Sequence, residues 1–306
     1  MTETRKGLLL GLAAYGMWGL FPLYFPLMEP AGSVEVLAHR VLWSLITMAI
    51  LVVALRRRRH LAALLREPRS LLWLTIAASV IGLNWGVYIW ATTHEHVVEA
   101  SLGYFINPLV SVLLGVVFFA ERLRRLQWAA LALATAAVLV LTFELGEPPW
   151  VSLLLAFSFG TYGLAKKQAN RGAIEGLTVE TLILAPVALA YLVFLGAQGD
   201  GTFTSEGGLH VVLLISLGIV TAVPLLCFGA SATRVPLTVI GFLQYTTPTI
   251  QFLLGVFLLG EQMTEGRWIG FALVWVALLI FSMESLAHHR RQRRVVRRSA
   301  AAPIAA

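Results

Sequence analysis

Polar side chains that could bind a small solute gather around Pro108 and Pro248, each of which lies inside a long apolar run. A proline inside a helix removes one backbone N–H and frees the carbonyl one turn earlier, which a cavity can then use. The polar residues beside these prolines are Tyr104, Asn107, Gln244, Tyr245 and Gln251. The pattern predicts a solute-binding cavity, and we expect the two proline-interrupted helices to flex during gating. Hydrogen bonds between helices are the alternative explanation.

Four further residues have types and spacing that suit such a cavity. Asn84 and Tyr88 are four residues apart, so they share one face of a helix. Trp18 and Tyr162 occupy equivalent places in two similar segments of the chain. Aromatic walls suit amphipathic or cationic organic solutes, because the face of an aromatic ring attracts positive charge. We therefore predict that these four residues line the cavity.

His39 and Arg40 lie near the start of another apolar run. A charged side chain in mid-membrane costs roughly 2.5–3.5 kcal/mol on insertion scales, so its presence needs a reason. Glu35 precedes His39 by four residues and could pair with it. Two interpretations stay open: a salt-bridge cluster that anchors one end of a helix, or a role in gating, proton coupling or substrate contact. An imidazole ordinarily titrates near neutral pH, so His39 could carry a proton.

Motifs for catalysis or cofactor binding are missing from the sequence. It contains no Gly-x-Ser-x-Gly, P-loop or His-Glu-x-x-His motif, and Cys227 is its one cysteine. The run His94-Glu95-His96 lacks a third and fourth ligand at suitable spacing for a metal ion. We therefore expect a protein that is not an enzyme and that has no catalytic residues, no bound metal and no cofactor. A pump driven by ATP would need a nucleotide-binding domain that this chain does not contain.

Membrane-spanning helices must position these residues, because the composition is that of a membrane protein. Of the 306 residues 58% are apolar and 13% are charged, against about 45–50% and 25% in soluble domains. A span needs roughly 20 apolar residues. Ten stretches approach that length, at 7–27, 35–55, 71–92, 101–120, 127–143, 150–166, 178–197, 210–230, 237–259 and 267–286.

The ten predicted spans form an internal repeat. Residues 101–133 match 241–273 in one register, and residues 16–20 match 160–164. The matched pairs are Pro108 with Pro248, Gly115 with Gly255, Glu121 with Glu261, and Trp128 with Trp268. Five spans per repeat is an odd number, so the two copies must cross the membrane in opposite orientations, as in many secondary transporters. We predict an all-α polytopic protein with repeats at 1–143 and 150–286 and a basic tail at 287–306.

The positive charge fixes the orientation. Of the 23 lysines and arginines, all but Arg40 and Arg267 lie at the termini or in loops that face one side of the membrane. By the positive-inside rule that side is the cytoplasm, which places both termini there. The basic tail follows the same rule and contacts lipid headgroups, so we expect no nucleic-acid partner.

The sequence resembles the drug/metabolite transporter superfamily, and within it the RarD branch of the EamA-type members. The superfamily pattern lies in Pro108–Glu121 and Pro248–Glu261, each followed by a span that begins near Trp128 or Trp268. The branch pattern lies in the front half of the chain: residues 15–22 (YGMWGLFP), 35–44 (EVLAHRVLWS), Asn84-Trp85 and 101–109 (SLGYFINPL).

This resemblance implies a plasma-membrane transporter of small organic solutes. It implies a central cavity lined by the first, third, fourth, sixth, eighth and ninth spans. The fifth and tenth spans would lie at the periphery, where a homodimer could form. We therefore expect a secondary transporter that works by alternating access, with a small-molecule substrate and the lipid bilayer as its partners. A lipid-precursor flippase is the alternative, and an intramembrane enzyme or a channel fits the sequence less well.

Overall fold

The computed structural model describes residues 3–119, 123–232, 234–235, 239–240 and 243–300, and the regular structure among these residues is helical, without strands. Glu121 lies outside the described residues. The helices in chain order are α1 (Glu3–Gly19), α2 (Phe21–Tyr24), α3 (Ser33–Ala54), α4 (Arg58–Leu64), α5 (Pro68–Thr93), α6 (Val97–Phe119), α7 (Arg125–Leu145), α8 (Trp150–Ala169), α9 (Ala173–Gln198), α10 (Gly208–Ala232), α11 (Thr246–Leu253) and α12 (Glu265–Ala300). A 3-10 turn, Phe25–Met28, extends α2, and a π turn, Leu254–Leu258, extends α11.

Proline and glycine mark several of the helix ends. Pro68 is the first residue of α5, where its missing N–H has no helical partner to lose. Gly146 and Gly199 follow α7 and α9 with φ angles of 73° and 82°. A residue with a side chain is strained in this left-handed conformation, so glycine is the favoured stop. Helix α12 continues through Arg298 to Ala300, so part of the predicted basic tail is helical.

Seven helices in the described part of the chain are long and apolar enough to cross a membrane, and α1 with Phe21–Met28 makes an eighth if this pair, bent by 45°, is one span. Each of the ten predicted stretches overlaps a helix. Helix α8 is not among these candidate spans. Its mean hydropathy is too low, because Lys166, Lys167 and several small polar residues lie along it. Helix α11 and its π turn, Thr246–Leu258, are apolar but short. The structure therefore agrees with a polytopic helical membrane protein and gives seven or eight clear spans.

The chain forms two compact units. The first comprises residues up to Leu114 together with Trp150–Gln262, and the second comprises Gly115–Pro149 and the residues from Met263 onward. This division does not follow the predicted repeats. The first four predicted spans of each repeat lie in the first unit, which ends at Leu114 in the first repeat and at Gln262 in the second. The fifth predicted span of each repeat lies in the second unit.

In the first unit, α3 packs between α9 and α10, α5 packs on α8, and α1 packs on α10 and α11. Its core includes Phe25, Met28, Leu155 and Leu214, which are almost fully buried. Helices approach closely where small residues face a neighbour's backbone. A side chain at Gly218 of α10 would collide with the carbonyl of Trp43 in α3, so glycine is needed at this crossing.

In the second unit, α7 and α12 pack along each other. A Cβ atom added at Gly270 would lie 2.6 Å from the side chain of Leu141, so glycine at this position makes room for that side chain between the two helices. The alanines of α7 that face the core are Ala130, Ala134 and Ala137. Arg124 and Glu284 form an ion pair that joins the two helices.

Candidate functional site

Arg40 lies about two turns inside α3 and is buried, with 4% of its surface exposed. Its Cζ atom is 4.1 Å from the ring centre of Trp85 and 5.6 Å from those of Phe21 and Phe25. Its Nε donates a hydrogen bond to Oγ1 of Thr221 at 3.1 Å. The guanidinium is thus enclosed by side chains from α2 and its 3-10 turn, α5 and α10. Attraction to the aromatic faces offsets part of the cost of burying its charge.

No acidic side chain among the described residues forms an ion pair with Arg40, and its Nη1 atom has no hydrogen-bond partner there. Glu35, the acid closest to it along α3, bonds elsewhere: its Oε1 accepts the backbone N–H of Thr202 at 2.8 Å. A buried charge is ordinarily paired, because removing it from water is costly. Arg40 therefore has bonding capacity that the described residues do not use.

A hydrogen-bonded cluster adjoins Arg40 and connects four helices. Nε2 of Gln251 donates to the hydroxyl of Tyr88 at 2.7 Å, and the hydroxyl of Tyr104 donates to Oδ1 of Asn84 at 3.3 Å. The Tyr88 and Tyr104 rings lie edge to face, 5.6 Å apart. Through these contacts α5, α6 and α11 meet, and Nδ2 of Asn84 extends the cluster to α8 by donating to Oγ of Ser158 at 2.9 Å.

This polar cluster and Arg40 form one site. The ring of Phe25 contacts Tyr88 at 6.0 Å between centres and also faces the Arg40 guanidinium. Four of the predicted cavity residues, Asn84, Tyr88, Tyr104 and Gln251, are therefore brought together beside a predicted gating residue.

Trp18 forms the wall of the site on the α1 side. Its ring packs on Tyr15 at 5.4 Å and on Phe228 at 6.0 Å between centres. Its backbone carbonyl accepts a hydrogen bond from Nε2 of Gln251 at 3.3 Å. Thr247 bonds in the same way to the carbonyl of Tyr15, at 2.7 Å, so α11 is attached to α1 at two points.

The two proline segments differ in the structure. Pro108 lies inside the continuous helix α6, whereas Pro248 lies in the first turn of α11. A proline in a first turn breaks no helical hydrogen bond. Asn107, one residue before Pro108, is buried against Gly160 of α8, and its Oδ1 has no partner in the described structure. Only the second segment is interrupted, by a turn before α11 and a π turn after it.

Gln244 and Tyr245 occupy the turn that precedes α11, and both are partly buried. The backbone N–H of Gln244 donates to the carbonyl of Ile240 at 3.0 Å. The carbonyl of Tyr245 accepts a hydrogen bond from Oγ1 of Thr249 at 2.7 Å. The backbones of these two residues therefore take part in the hydrogen bonds at the start of α11.

Tyr162 belongs to a second polar group, one that contains a buried ion pair. Its hydroxyl donates to Oε2 of Glu180 at 3.1 Å, and Nζ of Lys166 donates to Oε1 at 2.6 Å. The ring of Phe159 lies between Tyr162 and Tyr104 and contacts both, so the two groups are neighbours. The predicted stretch 178–197 would place Glu180 in the first turn of a helix, where the helix dipole stabilises a negative charge. This is wrong, because α9 begins at Ala173 and Glu180 lies two turns inside it.

His39 does not pair with Glu35, contrary to the spacing-based prediction, because Glu35 bonds to Thr202. The imidazole of His39 instead stacks on the ring of Phe203, with centres 4.8 Å apart, and its Nε2 has no partner among the described residues. The loop that carries Thr202 and Phe203 therefore covers this part of α3.

The aromatic residues around Arg40 and its partner Thr221 were not predicted as site residues. One signal for them exists in the sequence. Arg40 has no acidic residue three or four positions away on its own helix, so its charge must be met by another helix or by a ligand.

Among the described residues, no group of three or more metal-ligating side chains lies close enough to hold an ion.

The fold and this site define a polytopic helical membrane protein with a polar and aromatic cluster buried among its helices. The EamA-like transporter family model matches residues 5–143 and 149–283, which together make up most of the chain. Protein RarD of Streptomyces exfoliatus is 54% identical over 98% of this chain and 95% of its own length. Protein RarD of Escherichia coli is 45% identical over 94% of this chain and 98% of its own length. The chain belongs to the EamA-like transporter family and, within it, to the RarD branch.

A solved crystal structure supports the fold. It aligns with a TM-score of 0.58 at 18% sequence identity and covers 90% of this chain and 96% of its own length. At this identity the likeness extends to the fold alone. The family model and the RarD relatives confirm the resemblance seen in the sequence motifs, at the level of family and branch.

Proposed function

We propose that the chain is a secondary transporter that moves small organic solutes, metabolites or amphipathic drugs, across the plasma membrane by alternating access. In this proposal its ten predicted spans form two inverted repeats, 1–143 and 150–286, with the basic tail 287–306 and both termini in the cytoplasm. The two halves rock around a cavity that contains the site described above. A homodimer through the fifth and tenth spans, as the family resemblance implies, belongs to the same proposal.

The observation that carries this proposal is a set of buried polar atoms that have no hydrogen-bond partner among the described residues of an apolar helical bundle. They include Nη1 of Arg40, Oδ1 of Asn107 and Oε1 of Gln251, which belong to predicted site residues. A buried donor or acceptor that lacks a hydrogen bond costs about 1–3 kcal/mol. A solute that bonds to these atoms would remove that cost, so the cluster is suited to binding a polar ligand.

The irregular backbone on both sides of α11 supports the proposal that this short helix moves during transport. Only Thr246–Leu253 is α-helical there, with a turn before it and a π turn after it. Irregular backbone at membrane depth is tolerated where it lies against protein or lines a cavity. Gln251 and Thr247 attach this short segment to α1 and α5, so a change in its position would alter the site directly.

Counterflow in liposomes tests the proposal. The purified protein is reconstituted with amino acids or amphenicol-like compounds inside, and uptake of the labelled compound is measured with and without an imposed proton gradient. We expect exchange of at least one compound class several times above protein-free liposomes. No exchange of any compound, together with movement of a fluorescent lipid between leaflets, would show a flippase instead.

Variants of the site sharpen this test. Asn107→Ala and Gln244→Ala should reduce exchange while the amount of folded protein stays unchanged. Thr135→Ala is the control, because Thr135 lies on the exposed face of α7 and bonds only to the carbonyl of Leu131 on its own helix. Wild-type exchange in both site variants and a loss in the control would place the cavity elsewhere.

A further inference from the structure

Arg40 is the buried charge of the candidate site, and the described residues do not neutralise it. An arginine side chain stays protonated at any physiological pH, so the positive charge persists after burial. Seven ion pairs are found among the described residues, and Arg40 takes part in none of them. The site is therefore suited to a ligand that carries a negative charge.

The unused part of the guanidinium has the geometry for an acidic group. Nε donates to Thr221, whereas Nη1 is buried and has no hydrogen-bond partner in the part of the chain that the structure describes. Guanidinium N–H groups form a planar fork that matches the two oxygens of a carboxylate. Since one guanidinium balances one negative charge, a monocarboxylate fits this site better than a doubly charged phosphate ester.

The neighbouring polar atoms complement a carboxylate. The hydroxyl of Tyr88 accepts a hydrogen bond from Gln251, and its own proton remains available for a second acceptor. Oε1 of Gln251 is an acceptor without a partner among the described residues, and it could bind a donor elsewhere on the same solute. The Tyr88 ring contacts Phe25, one of the rings around Arg40, and Gln251 is hydrogen-bonded to Tyr88, so the two side chains are placed to meet different groups of one small molecule.

The aromatic rings argue against a cationic solute. Aromatic walls attract cations in general, but here the faces of Trp85, Phe21 and Phe25 are already directed at the Arg40 guanidinium. A second positive charge at this place would be repelled by Arg40, with little screening inside the protein. This reverses the preference for cationic solutes that the aromatic residues alone suggest.

We propose that Arg40 binds the carboxylate of the transported solute, so that the substrate class is small organic monocarboxylates. This inference rests on the proposed transport function. In it, Arg40 holds the carboxylate and Tyr88 donates a second hydrogen bond to it.

The test compares carboxylates with amides of the same shape. Counterflow in proteoliposomes is measured for butyrate, benzoate and indole-3-acetate, and for butyramide, benzamide and indole-3-acetamide. Tetraethylammonium and glycerol 3-phosphate represent cations and phosphate esters. We expect at least one carboxylate to be exchanged at least about tenfold faster than its amide and than the other two probes. Equal exchange of acids and amides, or preference for the cation or the phosphate ester, overturns the proposal.

Arg40→Gln should lower carboxylate exchange by at least about tenfold, because it removes the charge and the fork. Arg58→Gln is the matched control, since Arg58 is exposed at the start of α4. Wild-type exchange of carboxylates by Arg40→Gln would contradict the assignment.

A binding measurement on the wild-type protein is independent of the variants. Benzoate or indole-3-acetate should raise its melting temperature in detergent, whereas the matched amides should not, because ligands stabilise the state that binds them. If carboxylates stabilise the protein but no compound is exchanged, the carboxylate site stands and the transport function fails. If amides or other solutes are exchanged as well as carboxylates, transport stands and the role of Arg40 fails.

Discussion

Glu261 caps the first turn of α6 at Val97. Its Oε1 accepts the backbone N–H of Val97 at 2.6 Å, and its Oε2 accepts that of Val98 at 3.0 Å. The first N–H groups of a helix have no partner within the helix, and a carboxylate there also interacts favourably with the helix dipole. One side chain thus fixes the start of a helix that is more than 160 positions away in the sequence.

Replacing Glu261 should loosen the start of α6. In Glu261→Ala two N–H groups lose their acceptor, and the loss of a helix cap costs typically about 1 kcal/mol, up to about 2. We expect amide hydrogen exchange at residues 97–100 to become roughly 5–30-fold faster, measured by mass spectrometry. Exchange in α7 should not change. Wild-type protection at 97–100 in the variant would show that the cap contributes little.

The predicted internal repeat allows a prediction about transport to be made from the contact of Glu261 with α6. Glu121 is the sequence counterpart of Glu261, and by the proposed topology the two residues lie at opposite faces of the membrane. If the two repeats exchange roles during transport, the two carboxylates stabilise opposite states. We expect Glu261→Ala to favour the outward-open state and Glu121→Ala the inward-open state.

Cysteine accessibility measures this shift. In a background with Cys227→Ser, a Val97→Cys variant is treated from outside with a maleimide that does not cross membranes. Added Glu261→Ala should increase the rate of labelling, and added Glu121→Ala should decrease it. Changes in the same direction in both variants would refute the exchange of roles.

The sequence predicts the helical class and several site residues because both follow from local patterns. Apolar length and the repeated prolines mark the helices, and the spacing of Asn84 and Tyr88 places both on the face of α5 that the structure directs into the polar cluster. Tyr104 and Gln251 were predicted from their position near the prolines. The structure brings all four side chains together.

The surroundings of Arg40 could not be predicted in the same way. Phe21, Trp85 and Thr221 come from three separate helices, and their meeting depends on how these helices pack. Nothing in the spacing of residues within one helix encodes such a meeting. The helix ends were misplaced for a related reason. Helix α9 begins at Ala173, before the predicted stretch 178–197, and Glu175 in its first turn pairs with Arg57, which is distant in the sequence, at 2.9 Å.

The hydrogen bond between Gln251 and Tyr88 should couple the short helix α11 to α5. Tyr88→Phe and Gln251→Leu each remove it, and the double variant should lose less stability than the two single losses added together. We expect a coupling energy of about 0.6–1.7 kcal/mol, the range found for hydrogen bonds within membrane proteins. Thermal unfolding in detergent gives the four stabilities of the cycle. Additive losses would show that the bond makes no net contribution.

The buried pair of Glu180 and Lys166 should act as a structural unit. Glu180 is almost fully buried, and its Oε1 lies 2.6 Å from Nζ of Lys166. Glu180→Ala leaves the ammonium group unpaired, and breaking a buried pair in this way costs about 3–5 kcal/mol. Replacing both residues, as Glu180→Gln with Lys166→Met, removes the two charges together and should restore most of the melting temperature.

Transport by the double variant, measured by counterflow with and without a proton gradient, then distinguishes a structural role of the pair from a role in proton coupling. We expect exchange to persist with the same dependence on the gradient, because the pair lies outside the Arg40 site. Loss of that dependence alone, in a protein as stable as the wild type, would instead assign proton coupling to the Glu180–Lys166 pair.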